Sequence, residues 1–138
     1  MDTKIKIVIV DDEALFRGGL TFILKREPNF TILNENSNGQ ELLAFLRSTN
    51  ELPGIILIDL KMPIINGVEA TKIIRKEFPG IKIIALTSYD SKSFIANVID
   101  AGAVSYLLKN ASPTELIHTI NEVAIKGFYY SDEMVYEE

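Results

Sequence analysis

Five short strand-like runs, four of them rich in β-branched residues, alternate along this chain with five stretches whose apolar residues recur at helical spacing. That alternation leaves few folds open. The runs are Ile5–Val10, Phe30–Leu33, Ile55–Ile58, Ile81–Leu86 and Ser105–Leu108. Each is too short for a buried helix and suits a strand. Ala14–Arg26 reads as the first helix, stopped by Pro28. Gly39–Arg47 carries Leu42, Phe45 and Leu46 on one helical stripe. Ala70, Ile73, Ile74 and Phe78 share a face of the third helix, which ends at Pro79-Gly80. Ser93–Ala101 is expected to bury Phe94, Ile95, Val98 and Ile99, with Gly102 at its end. Ser112-Pro113-Thr114-Glu115 offers a serine N-cap, proline at the first helical position and a capping-box glutamate for the fifth helix. Its inward stripe reads Leu116, Ile120, Val123 and Ala124, and Gly127 is its stop. Strands alternating with helices predict an α/β fold: a doubly wound parallel sheet of five strands between helical layers. Right-handed crossovers favour the flavodoxin-like order 2-1-3-4-5, with its switch point between the first and third strands.

At 138 residues the chain makes one domain with a sizeable core. We expect that domain over residues 1–128. Residues 129–138 read as an acidic tail or the start of a linker, since four of the last seven residues are acidic and no period is visible. No apolar run is long enough to span a membrane, and no signal-peptide core follows Met1, so a cytoplasmic location is expected. The absence of cysteine excludes disulfides, thiolate chemistry and cysteine-held zinc. A net charge of −5 argues against direct nucleic-acid contact, which needs a basic face.

The central run is followed at once by Asp59-Leu60-Lys61-Met62-Pro63. In a parallel sheet, ligands bind at the carboxyl ends of the strands. Asp59 is expected there, with Asp11 and Asp12 at the end of the neighbouring first strand about 4.8 Å away. Three carboxylates in one crevice repel one another and stay ionised only around a cation. Thr87 closes the fourth strand and Lys109 the fifth. Taken singly, these residues are ordinary. An acidic pair often caps a helix, and a lysine is usually solvated. Their joint placement at four strand ends is the signal. An all-oxygen ligand set with open positions suits Mg²⁺ (or Mn²⁺). A metal beside a carboxylate nucleophile, with a lysine and a hydroxyl for phosphoryl oxygens, is equipment for phosphoryl transfer to Asp59. His118 lies inside the last helix and is read as a surface residue without a chemical role.

With those residues in hand, the chain from about Ile5 to Gly127 resembles a response-regulator receiver domain of two-component signalling. The resemblance rests on Asp11-Asp12, Asp59-Leu60-Lys61-Met62-Pro63, Asn66-Gly67, Thr87-Ser88, Gly102-Ala103 and Tyr106-Leu107-Leu108-Lys109. Ala14-Leu15-Phe16-Arg17-Gly18-Gly19-Leu20 and Ser112-Pro113-Thr114-Glu115-Leu116 look most like the NarL/LuxR type. Two positions depart from the usual pattern: Ser105 stands where glycine is common, and Asn110 where aspartate or proline is common. The resemblance implies that Asp59 accepts a phosphoryl group from a histidine kinase or histidine phosphotransfer protein. It implies that Asp12, Asp59 and the backbone carbonyl of Lys61 hold Mg²⁺, with Asp11 acting through water. Thr87 and Tyr106 would form the switch, the hydroxyl moving to the phosphoryl group and the ring rotating inward. Lys61 and Tyr89 would border the route of hydrolytic water and set the phosphoryl lifetime. It further implies homodimerisation on phosphorylation, and an output through a DNA-binding domain that this chain does not contain. A stand-alone receiver acting by protein–protein contact is the alternative.

Two other classes fit less well. A Mg²⁺-dependent phosphohydrolase of the haloacid-dehalogenase type carries its second carboxylate two residues after the nucleophile, where this chain has Lys61. A flavin-binding flavodoxin needs a glycine-rich, hydroxylic loop after the first strand, and here that loop is Asp11-Asp12-Glu13. The expectation is therefore a switch and not a turnover enzyme.

Overall fold

The computed structural model describes residues 4–88 and 92–130. Its elements are β1 (Ile5–Val10), α1 (Ala14–Lys25), β2 (Phe30–Asn36), α2 (Gly39–Ser48) and β3 (Ile55–Asp59). They continue as α3 (Gly67–Glu77), β4 (Lys82–Thr87), α4 (Lys92–Ala101), β5 (Ser105–Leu108) and α5 (Pro113–Lys126). The strands form one parallel sheet in the order β2-β1-β3-β4-β5. The expected winding and its switch point between β1 and β3 are both present.

Alternation along each strand divides the core into two layers. Val8, Val10, Ile56, Ile58, Ile83 and Ala85 face α2, α3 and α4, meeting Leu42, Leu46, Ala70, Ile74 and Val98. Ile7, Ile9, Ile55, Leu57, Ile84 and Leu86 face α1 and α5, meeting Leu20, Leu24, Leu116, Ile120 and Val123. β3 is buried along its whole length because a central parallel strand is covered on both sides. That explains why it reads as an unbroken apolar run.

Several boundaries differ from the sequence expectation. β2 extends to Asn36, three residues past Leu33. Its last turn of chain is polar, and the pairing with β1 slips between Ile7 and Val8, a bulge that hides the strand from periodicity. Along α5, Ala124 is exposed, and the fourth buried position is Thr119. In α4, Val98 is buried and Ile95 and Ile99 partly so, while the side chain of Phe94 lies outside the described residues. The ends of α5 form as read. The Ser112 hydroxyl accepts from Glu115 N at 3.1 Å, and Gly127 takes the left-handed φ of 90°.

The loop from β3 to α3 is the tightest connection. Asn66 caps α3, its side chain accepting from Glu69 N at 2.9 Å. Gly67 N donates to Leu60 O at 3.1 Å, pulling the helix start onto the end of β3. Ile64 in this loop has φ 72°, a left-handed conformation that a β-branched residue rarely adopts, and its side chain is exposed.

Candidate functional site

Asp59 is the last residue of β3, opposite Leu86 of β4, and is almost wholly buried. Asp11 follows β1 and is fully buried, whereas Asp12 is exposed. Carboxylate oxygens of Asp11, Asp12 and Asp59 lie within 4.8 Å of one another. The sequence anticipates this crowding from strand order alone. Asp11 Oδ1 accepts from Glu13 N at 2.8 Å, and Asp59 Oδ1 accepts from Lys61 N at 3.2 Å. Each carboxylate is thus anchored through one oxygen by the backbone two residues on, leaving the other for a cation.

Lys109 supplies that cation among the described residues. Its ammonium sits 2.9 Å from Asp11 Oδ2 and 3.3 Å from Asp59 Oδ2, and pairs with Glu13 Oε1. The ring of Phe16 lies 4.8 Å away, a cation–π contact. Burial, followed by repulsion from Asp11, pushes the Asp59 carboxyl up to about 6, against the pull of Lys109. Burial also opposes the Lys109 charge. Its contacts with Glu13, Asp11 and Asp59 outweigh that and hold the ammonium above its ordinary value. One lysine does not neutralise this cluster, so the donor set has room and electrostatic demand for a further hard cation.

Thr87 ends β4 and is buried, and its carbonyl accepts from Lys109 N at 2.8 Å. Tyr106 pairs with Ala85, two residues before Thr87, and faces the same layer of the core. Its side chain is buried in the same core cluster as Ala85, Val98 and Ala103. Lys61 is exposed and joins Asp12, Met62 and Asn66 around an open groove of about 410 Å³. Tyr89 lies outside the described residues, as does the tail from 131 to 138. His118 is exposed and meets the Tyr129 ring edge-on, with centroids 5.2 Å apart.

Sequence reasoning missed three neighbours of the site. Glu13 and Phe16 surround Lys109, and Arg17 donates to the Asp11 carbonyl while pairing with Glu35 at 3.3 Å. The third consecutive acid after β1 was the available signal.

The response regulator receiver domain model matches residues 7–121. The chain belongs to that family. It is 38% identical over 128 residues to the transcriptional regulatory protein DegU of Brevibacillus brevis, covering 93% of this chain and 53% of that protein. It is 40% identical over 124 residues to the transcriptional regulatory protein LiaR of Bacillus subtilis, covering 89% of this chain and 57% of that one. A solved two-component response regulator of the LuxR family from Aurantimonas superposes with TM-score 0.86 at 29% identity, over 97% of this chain and 94% of that one. The likeness is thus to the NarL/LuxR side of the family, and the chain is a receiver domain of the two-component type. It spans about half the length of the curated relatives it matches. No helix among the described residues is long and apolar enough to cross a membrane.

Proposed function

We propose that Asp59 of this receiver accepts a phosphoryl group from a histidine kinase or histidine phosphotransfer protein. The supporting observation is the Asp59 carboxylate at the end of β3, 3.3 Å from the Lys109 ammonium and within 4.8 Å of Asp11 and Asp12. In the transfer, an Asp59 oxygen forms the new O–P bond as the donor's N–P bond breaks. The electron pair returns to the imidazole, which takes up a proton. Lys109 neutralises charge on the phosphoryl oxygens, and the Thr87 hydroxyl donates to one of them. Asp12, Asp59 and the Lys61 carbonyl would hold Mg²⁺ or Mn²⁺, with Asp11 acting through water. Bound there, the ion offsets the repulsion between carboxylates and phosphoryl group.

The readout runs through Thr87 and Tyr106, on the same face of adjoining strands. A hydroxyl drawn toward the phosphoryl group would vacate space into which the Tyr106 ring, already buried, moves further inward. We take Lys61 and Tyr89 to set the phosphoryl lifetime. Residues 1–128 would form the receiver and 129–138 the start of a linker to a DNA-binding output domain. Phosphorylation would then promote homodimers of a cytoplasmic regulator, with no nucleic-acid contact from the receiver and no substrate turnover beyond its own phosphoryl group.

The deciding experiment is incubation with Mg²⁺ and acetyl phosphate, followed by intact mass. One phosphate should appear on the wild type and none on Asp59→Asn. Undiminished labelling of the variant would reject Asp59 as the acceptor.

A further inference from the structure

The Lys109 ammonium stands in ion-pair contact with three carboxylates, and it donates a hydrogen bond to Glu13 Oε1 while Asp11 Oδ2, though 2.9 Å away, accepts none. Of these partners, Glu13 is the nearest, Asp11 follows at 2.9 Å, and Asp59 is the farthest at 3.3 Å. Once Asp59 is esterified, its phosphoryl oxygens take the place of its carboxylate facing Lys109 and compete for the ammonium with Glu13 and Asp11. These two differ in what yielding entails. The side chain of Asp11 is 0% exposed, so a carboxylate released there is stranded away from water. The Glu13 side chain is 61% exposed and rehydrates on leaving. Phe16, three residues further on, backs the same ammonium and keeps it near the site while partners exchange.

We propose that Glu13 is a positioning residue: it holds Lys109 in the resting receiver and competes with the phosphoryl group for it. Glu13 therefore weakens the activated form, and its side chain is the partner released on activation. This rests on Asp59 as the phosphoacceptor. Any acid near the site would repel an incoming anion. The claim is narrower, that Glu13 acts through its contact with Lys109.

Beryllofluoride, a phosphoryl mimic, is titrated calorimetrically into the protein at saturating Mg²⁺. Glu13→Gln keeps the shape and removes the charge, and should bind about 3–10-fold tighter, as expected for an exposed ion pair plus one relieved repulsion. Glu69→Gln removes the same charge in the first turn of α3, from an exposed side chain with no ion pair among the described residues, and should stay within about twofold of wild type. Unchanged or weaker binding by Glu13→Gln overturns the proposal, and so does an equal gain in Glu69→Gln. Asp59→Asn should bind none. Failure of the wild type itself to bind would instead reject Asp59 as the acceptor, and this inference with it.

Discussion

The space where a Gly67 side chain would stand is occupied by the carbonyl group of Asp59. A Cβ built on Gly67 overlaps that oxygen and lies 2.8 Å from Leu60 Cα. The first residue of α3 is therefore packed directly on the backbone that presents the candidate nucleophile. Gly67 is needed here for close approach, since its φ is not left-handed.

Gly67→Ala must push α3 away from β3 or bend the end of β3, because backbone on both sides cannot yield as a side chain would. Overpacking of this kind destabilises by about 1–3 kcal/mol. Urea denaturation should show a loss in that range. Phosphorylation by acetyl phosphate should also slow in the fraction that remains folded. A wild-type midpoint with wild-type labelling would mean that the contact relaxes without consequence.

The raised Asp59 carboxyl makes a statement about stability. Its ordinary value is 3.8, and in the fold it lies at about 6, burial being the main cause and Asp11 the second. Between those values the folded state binds more protons than the unfolded chain. Without metal, stability should thus fall as pH rises from about 4 to 6, and the full penalty persists above. Two pH units correspond to roughly 3 kcal/mol, which we reduce to about 1–3 kcal/mol because solvent and Lys109 share the charge. Asp59→Asn should then be more stable than wild type by that amount at pH 7.5 in chelator, and equal to it near pH 4. Urea midpoints at the two pH values test this, and a pH-independent difference would contradict it.

Metal binding should depend on Asp12 and need no histidine. Asp12 is exposed and has no ion pair among the described residues, so it can turn to an ion without breaking one. Asp12→Ala should weaken Mg²⁺ by about tenfold or more, the loss of one charged oxygen ligand being worth well over 1 kcal/mol. His118→Ala should leave it unchanged. Calorimetric titration of the three proteins decides, and equal affinity for Asp12→Ala would move the ion elsewhere.

Much of this was legible before the structure because chemistry and topology coincide at strand ends. Once β1 and β3 are neighbours, Asp11, Asp12 and Asp59 must meet, and Lys109 needs only its stem to reach them. What stayed hidden depends on local detail that periodicity does not carry. The polar end of β2 pairs as an edge strand through a bulge, so its residues look like loop. Thr119 takes a buried place on α5 where Ala124 was expected, because the small alanine says little about which way the stripe drifts. The left-handed φ of Ile64 runs against the preference of its own residue type, so no sequence rule would locate it. Glu13 was in plain view as a third acid, but its role appears only when β5 delivers Lys109 to it.

The last prediction concerns the lifetime of the phosphoryl group. Lys61 follows Asp59 by two residues, is exposed, and stands with Asp12 on the open groove beside the site. Tyr89 follows Thr87 by two residues in the sequence and lies outside the described residues. A protonated lysine cannot act as general base for an attacking water, and its charge stabilises the phosphoryl group before hydrolysis. A tyrosine ring at the mouth would obstruct the in-line approach. The phosphoryl group should therefore be lost slowly, and Lys61→Asn/Tyr89→Glu should shorten its half-life by about tenfold. That factor amounts to only about 1.4 kcal/mol of barrier, which admitting one water can supply. Autodephosphorylation is followed by intact mass at saturating Mg²⁺ for both proteins. A double variant that keeps its phosphate as long as the wild type would show that these two side chains do not control the lifetime.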